Sequence, residues 1–347
     1  MSGETSGCPL PSDDGGRVLL AHGEGAKLTR RLLDEHVFPR LFGTGVRPLE
    51  DAALLPPLSG APVLATDSFV VSPLFFPGGD IGSLAVYGTV NDLLMRGARP
   101  LWLTLSMILE EGLPLSVLDR VLDRIAVAAR CCDIAIVAGD TKVVPRGAAD
   151  GLFLSTAGLG QLVDPAPTGI TDVKPGDVVL VTGPIGRHGI AILSAREGLR
   201  FEPPPTSDCA PLTAAVVALR NSEAAIRGMR DATRGGVTAV LHEWSRDSGL
   251  TLFVDERRVP ITPEVRGACE LLGLDALSVA NEGTMVAVIS PDDVNQALAA
   301  LRNAGYAGAT AIGEVRSRGV VPVVVSRALG REQPLIEPSG APLPRIC

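Results

Sequence analysis

Apolar residues recur along this chain in two rhythms that alternate from end to end. Runs of strand length, such as "PVLATDSFVV" (62–71), "LWLTLSMIL" (101–109), "IAIVAG" (134–139) and "GLFLSTAGLGQ" (151–161), predict β-strands. Between them, "GGDIGSLAVYGTVNDLLMRGARP" (78–100) predicts a helix with glycines before it and at its end. "PLSVLDRVLDRIAVAARCC" (114–132) has the spacing of an amphipathic helix. Upstream, "RVLLA" (17–21) reads as a short strand, and "HGEGAKLTRRLLDEHVFPRL" (22–41) as a glycine-containing loop leading into a helix closed by Pro39. The proline- and glycine-rich stretch 163–177 marks a boundary, after which the alternation resumes. There "VVLVTG" (178–183), "LTLFVD" (250–255), "TMVAVI" (284–289) and "VVPVVVSR" (320–327) predict strands. "HGIAILSAREG" (188–198), "APLTAAVVALRNSEAAIRGM" (210–229), "GVTAVLHEWSRDSG" (236–249) and "PDDVNQALAALRNAG" (291–305) predict helices. The pattern predicts an α/β (α+β) fold in four parts. These are a flexible arm over 1–16, a first domain over 17–163, a second over 164–330, and a flexible proline-rich tail over 331–347.

Composition narrows the function. A net charge of −8 repels phosphate backbones, and aromatic residues at 3% leave little for base stacking, so nucleic acid is not an expected partner. No apolar run reaches bilayer length, and the polar, acidic start is not expected to act as a secretory leader. The six cysteines form no C-x-x-C pair and the four histidines lack zinc-ligand spacing. A cytoplasmic, reducing location fits, and zinc chemistry does not.

The carboxylates are the informative charges. Asp51 follows Glu50 in "LEDAALL", Asp67 interrupts an apolar strand, Asn91 and Asp92 lie on an otherwise apolar helix, and Asp140 follows the strand 134–139. Each alone has an ordinary reading as a cap, a turn former or a solvated group. As a set they suggest convergence on a hard cation, and oxygen ligands without thiolate or imidazole favour Mg²⁺ alongside a nucleotide's phosphates. Gly23, Gly25 and Lys27 in "HGEGAK" could cradle phosphate or simply form a turn. Asp231, before two glycines in "RDATRGGV", is open to the same two readings, and Glu282 in "VANEGT" alone would be a loop residue.

Together, "HGEGAK", "EDAAL", "ATDSF", the helix 78–100, "AGDTKVV", "GPIGRHGIAILSAREGL", "RDATRGG", "NEGT" and the final "PRIC" resemble the HypE family of hydrogenase-maturation carbamoyl dehydratases. That resemblance runs from about His22 to Cys347, and the aspartate pattern is shared with a wider aminoimidazole ribonucleotide synthetase-like superfamily. It implies a two-domain fold whose N-terminal domains pair into a dimeric β-barrel, with ATP near the interface. It implies further that a carbamoyl group on Cys347, delivered by the carbamoyltransferase HypF, is dehydrated with ATP to a thiocyanate. The cyanide then passes to the iron of nickel–iron hydrogenase through a HypC–HypD complex. On this reading ATP and Mg²⁺ are the cofactors. Asp51, Asp67, Asp92, Asp140 and Asp231 hold the metal; Gly23, Gly25, Lys27, Asn91 and Gly139 join them around the nucleotide. Cys347, Lys142 and Glu282 carry the chemistry, Lys142 having an ion pair with a carboxylate as its alternative role. Glu24 and Ala26 stand where the family pattern has serine and a second glycine, and Arg187 where it has an acidic residue. Two rival functions remain at this stage: a small-molecule kinase or synthetase of the superfamily, and an ATP-binding scaffold with a docking tail.

Overall fold

A computed structural model describes residues 15–43, 50–327, 329–340, 343 and 345–347. The predicted arm, except Gly15 and Gly16, lies outside the described residues. After a 3₁₀ turn at Leu20–Gly23, α1 (Ala26–Leu32) runs through a π-helical turn (Leu33–Val37) into α2 (Phe38–Leu41). The predicted strand at 17–21 is reduced to a single bridge between Arg17 and Pro114. Pro39 does not end the helix. It sits in the first turn of α2, where the wider π-turn has already relaxed the hydrogen-bond ladder that proline would break.

The first sheet is built from β1 (Pro62–Phe69), β4 (Ala98–Glu110), β5 (Ala135–Val144) and β6 (Leu152–Leu162), in the order β1-β6-β4-β5. A small hairpin, β2 (Phe75–Phe76) with β3 (Gly79–Asp80), precedes α3 (Ile81–Met95), and α4 (Leu115–Cys131) joins β4 to β5. Asp80 starts α3 as its N-cap: its carboxylate accepts from the Ser83 amide at 2.9 Å while its own amide donates to the Ser83 hydroxyl at 3.1 Å. α3 is apolar almost all round because it packs against β1, β6 and β4, against α4, and against the second domain. Leu103, Leu105, Met107 and Leu109 of β4 point into that packing and are buried. The alternate residues point to the other face, which no described element covers. There Leu64 is 73% exposed and Ile108 41%.

The second sheet has seven strands: β7 (Val178–Val181), β8 (Ile226–Asp231), β9 (Thr251–Asp255), β10 (Met285–Ile289), β11 (Thr310–Arg316), β12 (Val323–Ser326) and β13 (Glu332–Pro334). Their order is β13-β12-β9-β11-β7-β10-β8, antiparallel except for β12 beside β9. Its helices are α5 (Arg187–Glu197), α6 (Thr213–Asn221), α7 (Gly236–Ser248), α8 (Pro263–Leu272) and α9 (Val294–Asn303). The helix predicted over 210–229 stops at Asn221. Glu223 turns the chain at φ +57°, and the remainder is strand β8, paired to β10.

The tail is less free than its composition predicts. β13 adds an antiparallel strand to β12, Leu335 is buried, and His242 donates from Nε2 to the Leu335 carbonyl at 2.9 Å. Farther along, Leu343, Ile346 and Cys347 are buried again.

Candidate functional site

A cleft of about 770 Å³ opens between the β1 edge of the first sheet and the start of the second domain. Asp67 from β1, Asp92 from α3, Asp231 at the end of β8, Arg230, Arg234, Glu282 and Cys347 all line it. Asp67 faces α3, where Gly88 makes room: a Cβ there would lie 3.0 Å from the Phe69 ring and 3.7 Å from the Asp67 carboxylate. Glu282 is 3% exposed. Its loop is held from outside, since the Asp208 carboxylate accepts from the amides of Glu282 (3.0 Å) and Gly283 (3.1 Å). Asn281 fastens the same loop, accepting from the Gly186 amide and donating to the Ala232 carbonyl at 2.9 Å. Gly283 is obligatory here, because a Cβ would stand 1.8 Å from the Asp208 carbonyl oxygen.

The crowded acids of this cleft are harder to ionise than free carboxylates. Burial, then the neighbouring Asp231 and Asp67 carboxylates, push Asp92 up to about 7, although its side chain reaches solvent at the cleft mouth. Burial raises Asp231 to about 6, with Arg230 opposing. Asp67 is raised by burial too, and Glu282 is pushed far above the usual carboxylate range by burial and then by Asp231 and Asp208. Cys347 is raised to about 12, chiefly by burial and then by Glu282, with Arg234 opposing. The cleft therefore favours a neutral sulfur and calls for added positive charge beside its carboxylates.

Cys347 arrives on a docked segment. The Cys347 backbone oxygen accepts from the Val70 amide at 3.0 Å, and the Arg345 carbonyl from the Ser72 amide at 3.4 Å. Arg345 pairs with Asp150 at 2.8 Å.

The remaining predicted residues stand elsewhere. Asp51, Gly139 and Asp140 line a second cavity of about 450 Å³, walled by Leu33, Phe38, Leu105 and Ile136. Asp140 and Lys142 alternate along β5 and point from the uncovered face of the sheet, where they pair at 3.4 Å. The expectation that all five aspartates converge is thus not met within one chain: β5 and β1 are opposite edges of the sheet. Among the described residues, no three or more His, Cys, Asp or Glu side chains are grouped to hold a metal ion. Gly23 lies against β5, where a Cβ would come 2.6 Å from the Val143 nitrogen, and the Gly25 amide already donates to the Thr29 hydroxyl at 2.9 Å. Lys27 is exposed on α1. Asn91 lines neither cavity: it donates to the Ala210 carbonyl and accepts from the Leu212 amide, stapling α3 to the second domain. Sequence reasoning missed the cations of the cleft, Arg230 and Arg234 beside Asp231, together with Arg96 and Arg227. The signal for the first two was present in "MRDATRGG", whose two arginines flank Asp231 at short spacing.

These two sheets and the cleft between them define an AIR synthase-related protein. The family model for the N-terminal domain of AIR synthase related proteins matches residues 49–162, and that for the C-terminal domain matches 174–326. The carbamoyl dehydratase HypE of Rhizobium leguminosarum bv. viciae is 44% identical over 336 residues, covering 96% of this chain and 95% of that protein. A crystal structure of hydrogenase maturation protein HypE in complex with ATP matches with a TM-score of 0.88 at 42% identity, covering 95% of this chain and 99% of that one. HypE in a HypE–HypF complex matches with a TM-score of 0.78 at 43% identity, covering 90% and 100%. This chain belongs to the HypE family of carbamoyl dehydratases.

Proposed function

We propose that this protein is an ATP-dependent dehydratase that converts an S-carbamoyl group on its own Cys347 to a thiocyanate, supplying cyanide for the iron of nickel–iron hydrogenase. One observation carries the reading: Cys347 is docked in the carboxylate cleft beside Glu282 and Arg234.

The environment sorts the chemistry by location. Nucleophilic attack on a carbamoyl donor needs a thiolate, which a thiol raised to about 12 does not supply at neutral pH. Loading therefore takes place with the tail undocked, where a thiol titrates near ~8.5. The loaded group, –S–CO–NH₂, is neutral and suits the cleft. Its oxygen leaves poorly as oxide or hydroxide and well as phosphate. The carbamoyl oxygen takes the γ-phosphoryl group of ATP, releasing ADP. The C–O bond then breaks with loss of phosphate, the nitrogen loses its protons, and S–C≡N remains. Glu282, unusually basic for a carboxylate once ionised, is the acceptor for a nitrogen proton. Arg234 and Arg230 offset charge on the transferring group.

Mg²⁺ fits this donor set. Burial, and then their neighbours, make the acids of the cleft costly to ionise without a counter-charge, and they are hard oxygen donors. Asp67, Asp92 and Asp231, which are not grouped closely enough to hold an ion by themselves, would share it with the phosphate oxygens of ATP and with water. Bound there, it would supply neutralisation of the triphosphate charge.

The uncovered face of the first sheet, with Leu64 and Ile108 exposed, supports pairing of two copies into a β-barrel. Such pairing would bring Asp51, Asp140 and Lys142 of one copy toward the cleft of the other, with the apolar 450 Å³ cavity for the adenosine part of ATP. HypF as carbamoyl donor and HypC–HypD as cyanide acceptor complete the proposed partners; the complex solved for a HypE with HypF supports the first. The test is intact mass. Protein carbamoylated on Cys347 and given ATP and Mg²⁺ should yield a tail peptide lighter by one water. A tail mass that never changes while ATP is hydrolysed rejects the reading.

A further inference from the structure

The first turn of α5 carries a histidine with no solvent contact at all, His188, outside the carboxylate cleft. Its Nε2 lies 2.6 Å from the Ile346 carbonyl oxygen and its Nδ1 lies 2.8 Å from the Ser207 hydroxyl. A carbonyl oxygen can only accept, so Nε2 carries the proton and donates. Burial lowers the imidazole's proton affinity, so the ring is neutral and Nδ1 accepts from the Ser207 hydroxyl. Ser207 in turn accepts from the Cys209 amide at 3.0 Å. The result is a directed chain, Cys209 to Ser207 to His188 to Ile346, which fixes one ring face and one tautomer. The Phe76 ring meets the imidazole edge-on at 5.5 Å between centroids.

The residue beside the histidine also serves the tail. A Cβ on Gly189 would lie 2.6 Å from Val279 and 3.1 Å from the Leu343 side chain, so the glycine leaves a hollow that Leu343 enters. Farther on, Arg345 takes φ +52°, a conformation disfavoured for a side-chain-bearing residue, and is held there by Asp150 at 2.8 Å and by the Val70 carbonyl at 3.2 Å. A segment with so much proline would not keep this bend without those anchors.

We propose that His188 is a positioning residue that latches the docked tail by its Ile346 carbonyl, with Leu343 in the Gly189 hollow setting the register that presents Cys347 to Glu282. The latch rests on the dehydratase reading for its purpose but not for its existence. A slip of one residue along an extended chain displaces the sulfur by about 3.3 Å, enough to remove a reacting group from its base. The imidazole is a donor that water can replace when the tail leaves, so the grip is specific and reversible.

Two measurements on the full-length protein test it. Without nucleotide, iodoacetamide alkylation of Cys347 is followed by mass spectrometry of the tail peptide. His188→Ala should speed alkylation at least about tenfold over the unmodified sequence, the loss of one buried hydrogen bond. His188→Gln, whose amide nitrogen keeps a donor near the Nε2 position, should stay within about threefold. Leu343→Ala, which alters only the tail and leaves the folded body intact, should also speed it, and decides the matter if His188→Ala fails to fold. Equal rates in all variants, or a glutamine variant as fast as alanine, overturn the latch. With carbamoylated protein and saturating ATP, the single-turnover dehydration rate should fall in His188→Ala and recover in His188→Gln at unchanged ATP affinity. Protection of Cys347 without any thiocyanate rejects the dehydratase reading and leaves the latch; thiocyanate formation without protection rejects the latch alone.

Discussion

Asp67 and Asp140 stand on opposite edge strands of one four-stranded sheet and point from opposite faces of it. Three inter-strand gaps separate them, roughly 14 Å before any side-chain offset. If two copies share their sites, the defects of Asp67→Asn and Asp140→Asn fall in different chains of each site. Mixing the two inactive variants under conditions that exchange subunits should then restore about a quarter of full activity, from mixed dimers with one intact site of two. Mixtures as inactive as the separate variants would mean that each site is built from one chain.

Glu282→Gln keeps the shape of the loop and removes the base. The dehydration step should slow by about 10²–10⁴ in single turnover, with ATP affinity little changed. The Cys347 thiol, raised chiefly by burial and then by Glu282, should titrate lower than in the unaltered protein, read by the pH dependence of its alkylation.

Asp92 makes stability pH-dependent with a definite sign. Its folded value, about 7, lies above the 3.8 of an unperturbed aspartate. Its contribution is therefore fully present below pH 3.8 and lost as pH rises through 7. In metal-free protein, Asp92→Asn should match the unaltered protein at pH 4 and gain on it through that window, with a Tm higher by about 3 °C at pH 8. Addition of Mg²⁺ and ATP should narrow the gap.

Asp208→Ala leaves the amides of Glu282 and Gly283 without their acceptor. We expect a loss of about 2 kcal/mol, a Tm lower by about 5 °C, and slower dehydration because Glu282 is no longer held. Asp208→Asn, retaining one acceptor oxygen, should fall between.

Alternation of apolar residues reveals the strands of the first sheet because each has one face against α3 or α4 and one face open. The same logic fails at 210–229, where a helix and a strand join without a proline or glycine between them; Glu223 in a left-handed conformation makes the break, and glutamate carries no such signal. Strand β11 (Thr310–Arg316) escapes reading for a related reason, since "TAIGEVR" mixes charge and glycine within a strand. In the site, the meeting of Asp67 and Asp92 is legible as acids lodged in apolar surroundings, whereas Asp231, in a polar glycine-containing stretch, joins them only through the family resemblance. The separation of Asp51 and Asp140 is not legible, because strand order is set by long-range pairing. His188 shows the limit most clearly: nothing near it in sequence announces a partner 158 residues away.

Burial of Cys347 has a further consequence. Peroxide attacks thiolates, and the thiol of a residue only 8% exposed, raised to about 12, is scarcely ionised at neutral pH and largely shielded. While parked, the tail is sheltered from overoxidation, a loss that no later maturation step could reverse. Oxidative damage should therefore fall on molecules caught in transit between partners.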